Sequence, residues 1–169
     1  MSFYKNLELN DVALLQNTIP LLESMWGPHE QHGNGILVNT NPRDCTIWMH
    51  TRNIDSSWLN YTDPGTRIFI DVISKYVSEF NSNPRFGRAY IHRLKPGNII
   101  GRHRDYNDQP YFSTIKRYQL FLDIPENVII ESSPMPTKNS VFWFNHNVEH
   151  YYENAGTENL IFCVFDVFD

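Results

Sequence analysis

The feature that most constrains this chain is a pair of potential metal ligands one residue apart, His103-Arg104-Asp105, matched by His150, 47 residues beyond the first histidine. Two neutral imidazoles and one carboxylate can occupy one face of an octahedral ion and leave the opposite positions open, the ligand set of non-haem Fe(II) sites. For such side chains to meet, the chain must return beside itself. Residues i and i+2 of a strand face one side, so His103 and Asp105 are expected to point inward while Arg104 points away. A later strand must then bring the third ligand alongside. His146 and His150 are both available for that place, on strand or on loop.

The surrounding sequence supplies the strands. Arg88–Leu94 is followed by the turn Lys95-Pro96-Gly97-Asn98, and Ile99-Ile100-Gly101 leads into the ligand pair. Lys116–Ile124, Val128–Glu131, Val141–Phe144 and Leu160–Phe168 are rich in β-branched and aromatic residues, with Pro96, Pro110, Pro125, Pro134 and Pro136 between them. Upstream, Gly35–Asn39 and Cys45–His50 read as short strands around the turn Asn41-Pro42-Arg43-Asp44. Alternation puts Trp48, His50 and Arg52 on one face of the second, facing either a substrate pocket or a sheet edge.

Two helices precede or interrupt these strands. Asn10–Met25 has Leu14, Leu15, Ile19, Leu22 and Met25 on one side, and Pro20 makes it either two short helices or one kinked helix. Asp63–Phe80 opens with Asp63 as cap and Pro64 in the first turn, and carries an unbroken stripe of Phe69, Val72, Ile73, Tyr76, Val77 and Phe80. The expected fold is mainly β with flanking helices, a two-sheet sandwich or barrel with helices against one sheet. At 169 residues one domain spans 1–169, with 1–87 as helical support and outer strands and 88–169 as a metal-binding β core.

Charge and composition narrow the function classes. A net charge of -5 gives no electrostatic footprint for nucleic acid. No apolar run reaches the length of a membrane span. The cysteines are Cys45 and Cys163, and the start Met1-Ser2-Phe3-Tyr4-Lys5 has no charged-then-apolar leader, so a reducing cytoplasmic setting is expected, one that keeps iron ferrous. The pair His29 and His32, beside Gly27 and Pro28, reads as a solvated loop.

From about Arg88 to Asp169 the sequence resembles the aspartyl/asparaginyl β-hydroxylase-like group of Fe(II)/2-oxoglutarate-dependent dioxygenases, which includes free-proline hydroxylases. The resemblance rests on Ile91-His92-Arg93-Leu94-Lys95-Pro96-Gly97 before His103-Arg104-Asp105, and on Arg117-Tyr118-Gln119-Leu120-Phe121-Leu122-Asp123-Ile124-Pro125. It continues through Val148-Glu149-His150, Asn154-Ala155-Gly156 and Leu160-Ile161-Phe162. It implies a double-stranded β-helix, or cupin-like jelly roll, with iron in its mouth. It also favours His150 over His146, because the distal ligand stands shortly before an Asn-x-Gly-like turn and a final strand.

What the resemblance implies about the cosubstrate departs from the pattern at one place. An arginine about ten residues after the distal histidine usually clamps the far carboxylate of 2-oxoglutarate; here Asn159 and Leu160 stand there. His92, Arg117 and Gln119 match positions near the cosubstrate, and Tyr90 shares a side with His92. Trp48, His50, Arg52, Trp143 and His146 are the candidates for substrate contact. The implied reaction is hydroxylation of an amino acid, free or in a peptide or protein, with 2-oxoglutarate converted to succinate and carbon dioxide. Two other readings stand beside it: nucleic-acid demethylation by the same chemistry, which the acidic charge disfavours, and a cupin-like metal- or ligand-binding module without cosubstrate turnover, which Asn159 keeps open.

Overall fold

The computed structural model describes residues 4–26, 37–38, 46–52, 58–60, 64–105 and 113–168; within 37–38, 46–52 and 58–60 it describes the backbone alone. The strands, in chain order, are β1 (Tyr4–Asn6), β2 (Leu37–Val38), β3 (Thr46–Arg52), β4 (Trp58–Asn60), β5 (Phe86–Leu94) and β6 (Ile99–His103). They continue with β7 (Ile115–Phe121), β8 (Val128–Glu131), β9 (Ser140–Trp143), β10 (His150–Asn154) and β11 (Leu160–Phe168). All pairings between them are antiparallel. They form a seven-stranded sheet of order β1-β9-β7-β11-β5-β3-β4 and a four-stranded sheet of order β2-β6-β10-β8.

From β5 to β11 successive strands alternate between the two sheets: β5, β7, β9 and β11 lie in the larger one, β6, β8 and β10 in the smaller. The path therefore winds as a double-stranded β-helix, the expected jelly roll. The sequence reading missed β1, β4 and β10. The first two have three residues each, too few to show a period, and β10 mixes histidine, tyrosine, glutamate and asparagine, residues that hydropathy does not mark as a strand.

The helices cover the far face of the larger sheet. α1 (Leu9–Thr18) passes directly into a 3-10 helix, Ile19–Met25, with Pro20 in its first turn. Proline lacks the amide that an α-helix interior needs, so the pattern resolves into two helical pieces. Leu15 and Leu22 are buried, whereas Leu14, expected on the same stripe, is exposed. α2 (Pro64–Val77) buries Phe69, Val72, Ile73, Tyr76 and Val77 as its stripe requires. The residues 78–80 continue it as a turn. No described helix is long and apolar enough to cross a membrane.

Strand alternation divides the interior into two cores. Cys163, Phe165 and Val167 of β11 join Ala89, Ile91, Tyr118 and Leu120 against the helices. Phe162 and Val164 face the other way, between the sheets, with Tyr90, Ile100, Phe121, Phe142, Phe144 and Tyr152. Asp166 belongs to this second face by the same period. The turn into β11 is held by Asn154, whose amide nitrogen donates to the carbonyls of Leu94 (2.8 Å) and Glu158 (2.7 Å). Its side-chain oxygen accepts from Gly156. A Cβ on Gly156 would lie 2.3 Å from the Glu126 carbonyl oxygen, so the backbones approach there as only glycine permits.

α1 and α2 are tied by a small polar cluster. The Tyr76 hydroxyl donates to Asp11 Oδ2 at 2.5 Å and accepts from the Glu8 backbone N–H at 2.7 Å, while Lys75 Nζ lies 2.9 Å from both Glu8 and Asp11. The Tyr76 hydroxyl, with Lys75, holds the Asp11 carboxyl below its ordinary value of 3.8. An acid depressed in the folded state contributes stability above its unfolded pKa and loses that contribution as pH falls through the folded value. Tyr76→Phe is expected to cost about 1–2 kcal/mol in urea denaturation at neutral pH. The same substitution should reduce the loss of stability below pH 4, and an unchanged acid limb would show that Asp11 does not depend on Tyr76.

Candidate metal centre

β10 lies beside β6 in the smaller sheet, and His150 stands directly opposite His103. Opposed residues of an antiparallel pair have side chains within contact distance, and the two imidazole centroids are 4.1 Å apart. Nδ1 of His103 is 2.7 Å from the Gly101 carbonyl oxygen, and Nδ1 of His150 is 3.0 Å from that of Val148. A carbonyl only accepts, so each Nδ1 carries a proton, and Nε2 is the nitrogen each ring would offer to a metal. Asp105 Oδ1 is 3.3 Å from His103 Nε2 and 3.5 Å from His150 Nε2. Neighbouring donors on an ion with bonds of about 2.1 Å lie about 3 Å apart. The three donor atoms, all within 4.8 Å of one another, therefore match the spacing of a transition-metal site.

Asp105 reaches this position by a route different from the one expected. β6 ends at His103, so Asp105 lies beyond the ladder. Its backbone N–H donates to the His146 carbonyl at 3.0 Å, which fastens it to the loop that leads into His150. The two ligand segments are thus joined at both the strand pair and the loop.

The second oxygen of Asp105 is engaged elsewhere. Arg117 Nη1 donates to Asp105 Oδ2 at 2.6 Å, and Arg117 Nε and Nη2 donate to the two oxygens of Asp166 at 2.7 and 2.8 Å. All three side chains are enclosed, at 10% (Asp105), 3% (Arg117) and 0% (Asp166) exposure. Burial alone would raise the Asp105 pKa, but Arg117, with His103 and His150, holds it well below the ordinary carboxylate range. Burial would likewise lower the pKa of Arg117, and Asp166 foremost holds it well above its ordinary value. Two carboxylates against one guanidinium leave a net negative charge in a buried site. A divalent cation at the imidazole nitrogens compensates it, and the donor set suits Fe(II).

Inward of these donors a cavity is lined by Tyr90, His92, Gln119 and Tyr152 together with apolar Ile100 and Phe162. Gln119 Nε2 donates to the Tyr152 hydroxyl oxygen at 3.0 Å. Burial raises the pKa of both Tyr90 and Tyr152, so each hydroxyl remains a hydrogen-bond donor. The cavity lining among the described residues includes neither lysine nor arginine.

The other sequence candidates fall in several places. Arg117, expected near the cosubstrate, has its guanidinium taken up by two carboxylates. Asn159 is exposed in the turn before β11 and does not line the cavity, because the inward position there belongs to Leu160. Trp143, considered for substrate contact, packs with the helix-side core, since its neighbours Phe142 and Phe144 take the inward positions. His146 is buried, and burial, followed by the charge of Arg117, lowers its pKa. The side chains of Trp48, His50 and Arg52, and the pair His29 and His32, lie outside the described residues. Sequence reasoning missed Asp166 and Tyr152. The signal for Asp166 was present as a single carboxylate in an apolar nine-residue strand, LIFCVFDVF, on the face of Phe162 and Val164.

A double-stranded β-helix carrying two imidazoles and a carboxylate beside a polar cavity defines the class of Fe(II)- and 2-oxoglutarate-dependent oxygenases. The sequence model of the family described as aspartyl/asparaginyl beta-hydroxylase matches residues 67–169, and the chain belongs to that family. A search of the curated proteins by sequence finds no match. Among solved structures, a prolyl-4-hydroxylase from Pseudomonas putida is similar at TM-score 0.61 and 14% identity, covering 99% of this chain and 92% of its own. The viral collagen prolyl hydroxylase of Paramecium Bursaria Chlorella virus-1, in complex with 2-oxoglutarate, is similar at TM-score 0.58 and 15% identity, covering 98% and 94%. A 2-oxoglutarate-Fe(II) oxygenase family oxidoreductase from Burkholderia pseudomallei is similar at TM-score 0.59 and 10% identity, covering 90% and 78%. At these identities the likeness establishes the shared fold.

The charge balance and donor geometry make metal binding measurable without turnover. Addition of Fe(II) or Co(II) at one hundred times its dissociation constant should stabilise the wild-type protein by about 2.7 kcal/mol. His103→Ala and His150→Ala should each abolish that stabilisation while leaving the far-ultraviolet circular dichroism unchanged. Retained metal stabilisation in either variant would remove that histidine from the site.

Proposed function

We propose that the protein hydroxylates an amino acid, free or within a small peptide, and converts 2-oxoglutarate to succinate and carbon dioxide in the same cycle. The observation that carries this reading is the convergence of His103 Nε2, His150 Nε2 and Asp105 Oδ1 beside a cavity lined by Tyr90, His92, Gln119 and Tyr152. In it His103, Asp105 and His150 hold the iron. A bound ferrous ion supplies the redox chemistry by which dioxygen and a keto acid together insert oxygen into a C–H bond.

The chain's own residues bind, orient and enclose. Tyr90, His92 and Gln119, with Tyr152 behind Gln119, hydrogen-bond the cosubstrate from the cavity wall. Together they take the place of the arginine absent at Asn159. Ile100 and Phe162 exclude water from the deeper part of the cavity. The amino-acid substrate class is supported by the family and by the two similarly folded proteins described as prolyl hydroxylases.

Amino acids and short proline-containing peptides are to be screened for substrate-stimulated succinate release in the presence of Fe(II), 2-oxoglutarate and oxygen. Anaerobic addition of Fe(II) and 2-oxoglutarate should give a weak visible charge-transfer band; no band and no succinate with any substrate would reject the reading. Gln119→Leu removes one hydrogen-bonding arm and should raise the half-saturating 2-oxoglutarate concentration by about tenfold. An unchanged value would take Gln119 off the cosubstrate.

A further inference from the structure

We propose that Arg117 and Asp166 form a positioning pair that restricts Asp105 to a single ligand oxygen and so sets how many positions the metal keeps open. The inference rests on the reading of His103, Asp105 and His150 as iron ligands. A carboxylate can bind a cation through one oxygen or both. Asp105 presents Oδ1 toward the two imidazole nitrogens, while Oδ2 accepts the 2.6 Å charge-assisted hydrogen bond from Arg117 Nη1.

The guanidinium has no freedom to leave that position. Arg117 and Asp166 are direct partners across the β7–β11 ladder. The Nε and Nη2 edge of Arg117 is gripped by both oxygens of a fully buried Asp166. A planar fork fixed along one edge aims its remaining nitrogen in one direction, and here that direction is Asp105 Oδ2. Lysine, a point donor, cannot span the two carboxylates in this way.

The consequence concerns coordination number. With three protein donors, a six-coordinate ion would keep three positions for other ligands, and a keto acid binding through two oxygens would need two of them. An Asp105 free to turn its second oxygen to the metal would take one of them. A buried ion pair is a poor stabilising device compared with apolar residues of the same volume, whereas it is well suited to holding a ligand in one orientation. Asp166 and Arg117 are accordingly positioning residues that act through Asp105.

The test uses the Co(II)-loaded protein, whose d–d absorption reports chelation without turnover. The Arg117→Met/Asp166→Leu double variant removes both charges of the pair together, and Co(II) remains as the counter-charge of Asp105. Wild type and variant are titrated with 2-oxoglutarate and, separately, with acetohydroxamate, a two-oxygen chelator that carries no carboxylate. The double variant should retain Co(II) but bind both chelators more weakly, in parallel and by about tenfold or more. Unchanged affinity for both would overturn the proposal and leave the pair merely structural. Weakened 2-oxoglutarate with unchanged acetohydroxamate would also overturn it, because Arg117 would then be serving the cosubstrate carboxylate. Arg117→Lys, which keeps a cation beside Asp166 without the fork, should show the same parallel loss and is decisive if the double variant does not fold. Failure of the wild-type protein to bind Co(II) would reject the metal centre itself, an outcome that needs no variant to recognise.

Discussion

The register of β10 against β6 is the constraint on which the site depends. His150 opposite His103 sets two imidazoles side by side, and each is turned by a hydrogen bond from Nδ1 to a carbonyl two residues earlier in its own chain. A slip of one residue would put His150 on the outer face of the smaller sheet. Both neighbours of β10 hold that register: β6 on one side and β8 on the other. The convergence of these donors is a by-product of ordinary sheet pairing, and the polar groups beside them are tied together by cross-strand hydrogen bonds.

A second layer of order comes from the larger sheet. Its inward positions run from Leu94 and Leu160 through His92 and Phe162, then Tyr90, Val164 and Gln119, to Asp166 and Arg117. The polarity rises along this series from an apolar floor to a buried ion pair, and Asp105, just past the end of β6, meets it at the charged end. The helices act from the other face. α2 seals the apolar side of β5, β7 and β11, so those strands are buried on both faces, and their inward residues are free to be chosen for chemistry.

Departures from the simplest sequence reading have identifiable causes. Asp105 was expected on a strand beside His103; it lies past the strand end and is placed by a hydrogen bond to the His146 carbonyl, a loop contact that no local pattern encodes. Arg117 was read from its match to a family position near the cosubstrate and from its inward phase. Phase shows which way a side chain points and is silent on what stands in front of it, and what stands there is Asp166, 49 residues away in sequence. Trp143 shows the same period working against an aromatic candidate, since Phe142 and Phe144 hold the inward places.

Local periodicity and motif spacing were enough to read the β-rich class, the amphipathic helix Pro64–Val77, most of the β5–β11 strands and the pair His103 and Asp105, while the family resemblance chose His150 over His146 as the third metal-binding candidate. Those features depend on residues a few positions apart, or on a ligand chemistry that few side chains can supply. The partners of each buried polar group became visible once the sheets were assembled: Asp166 beneath Arg117, Tyr152 beside Gln119, the outward turn of Trp143 and the exposed place of Asn159. Such pairings join residues of different strands, and cross-strand register is a property of the closed sheet rather than of any segment within it.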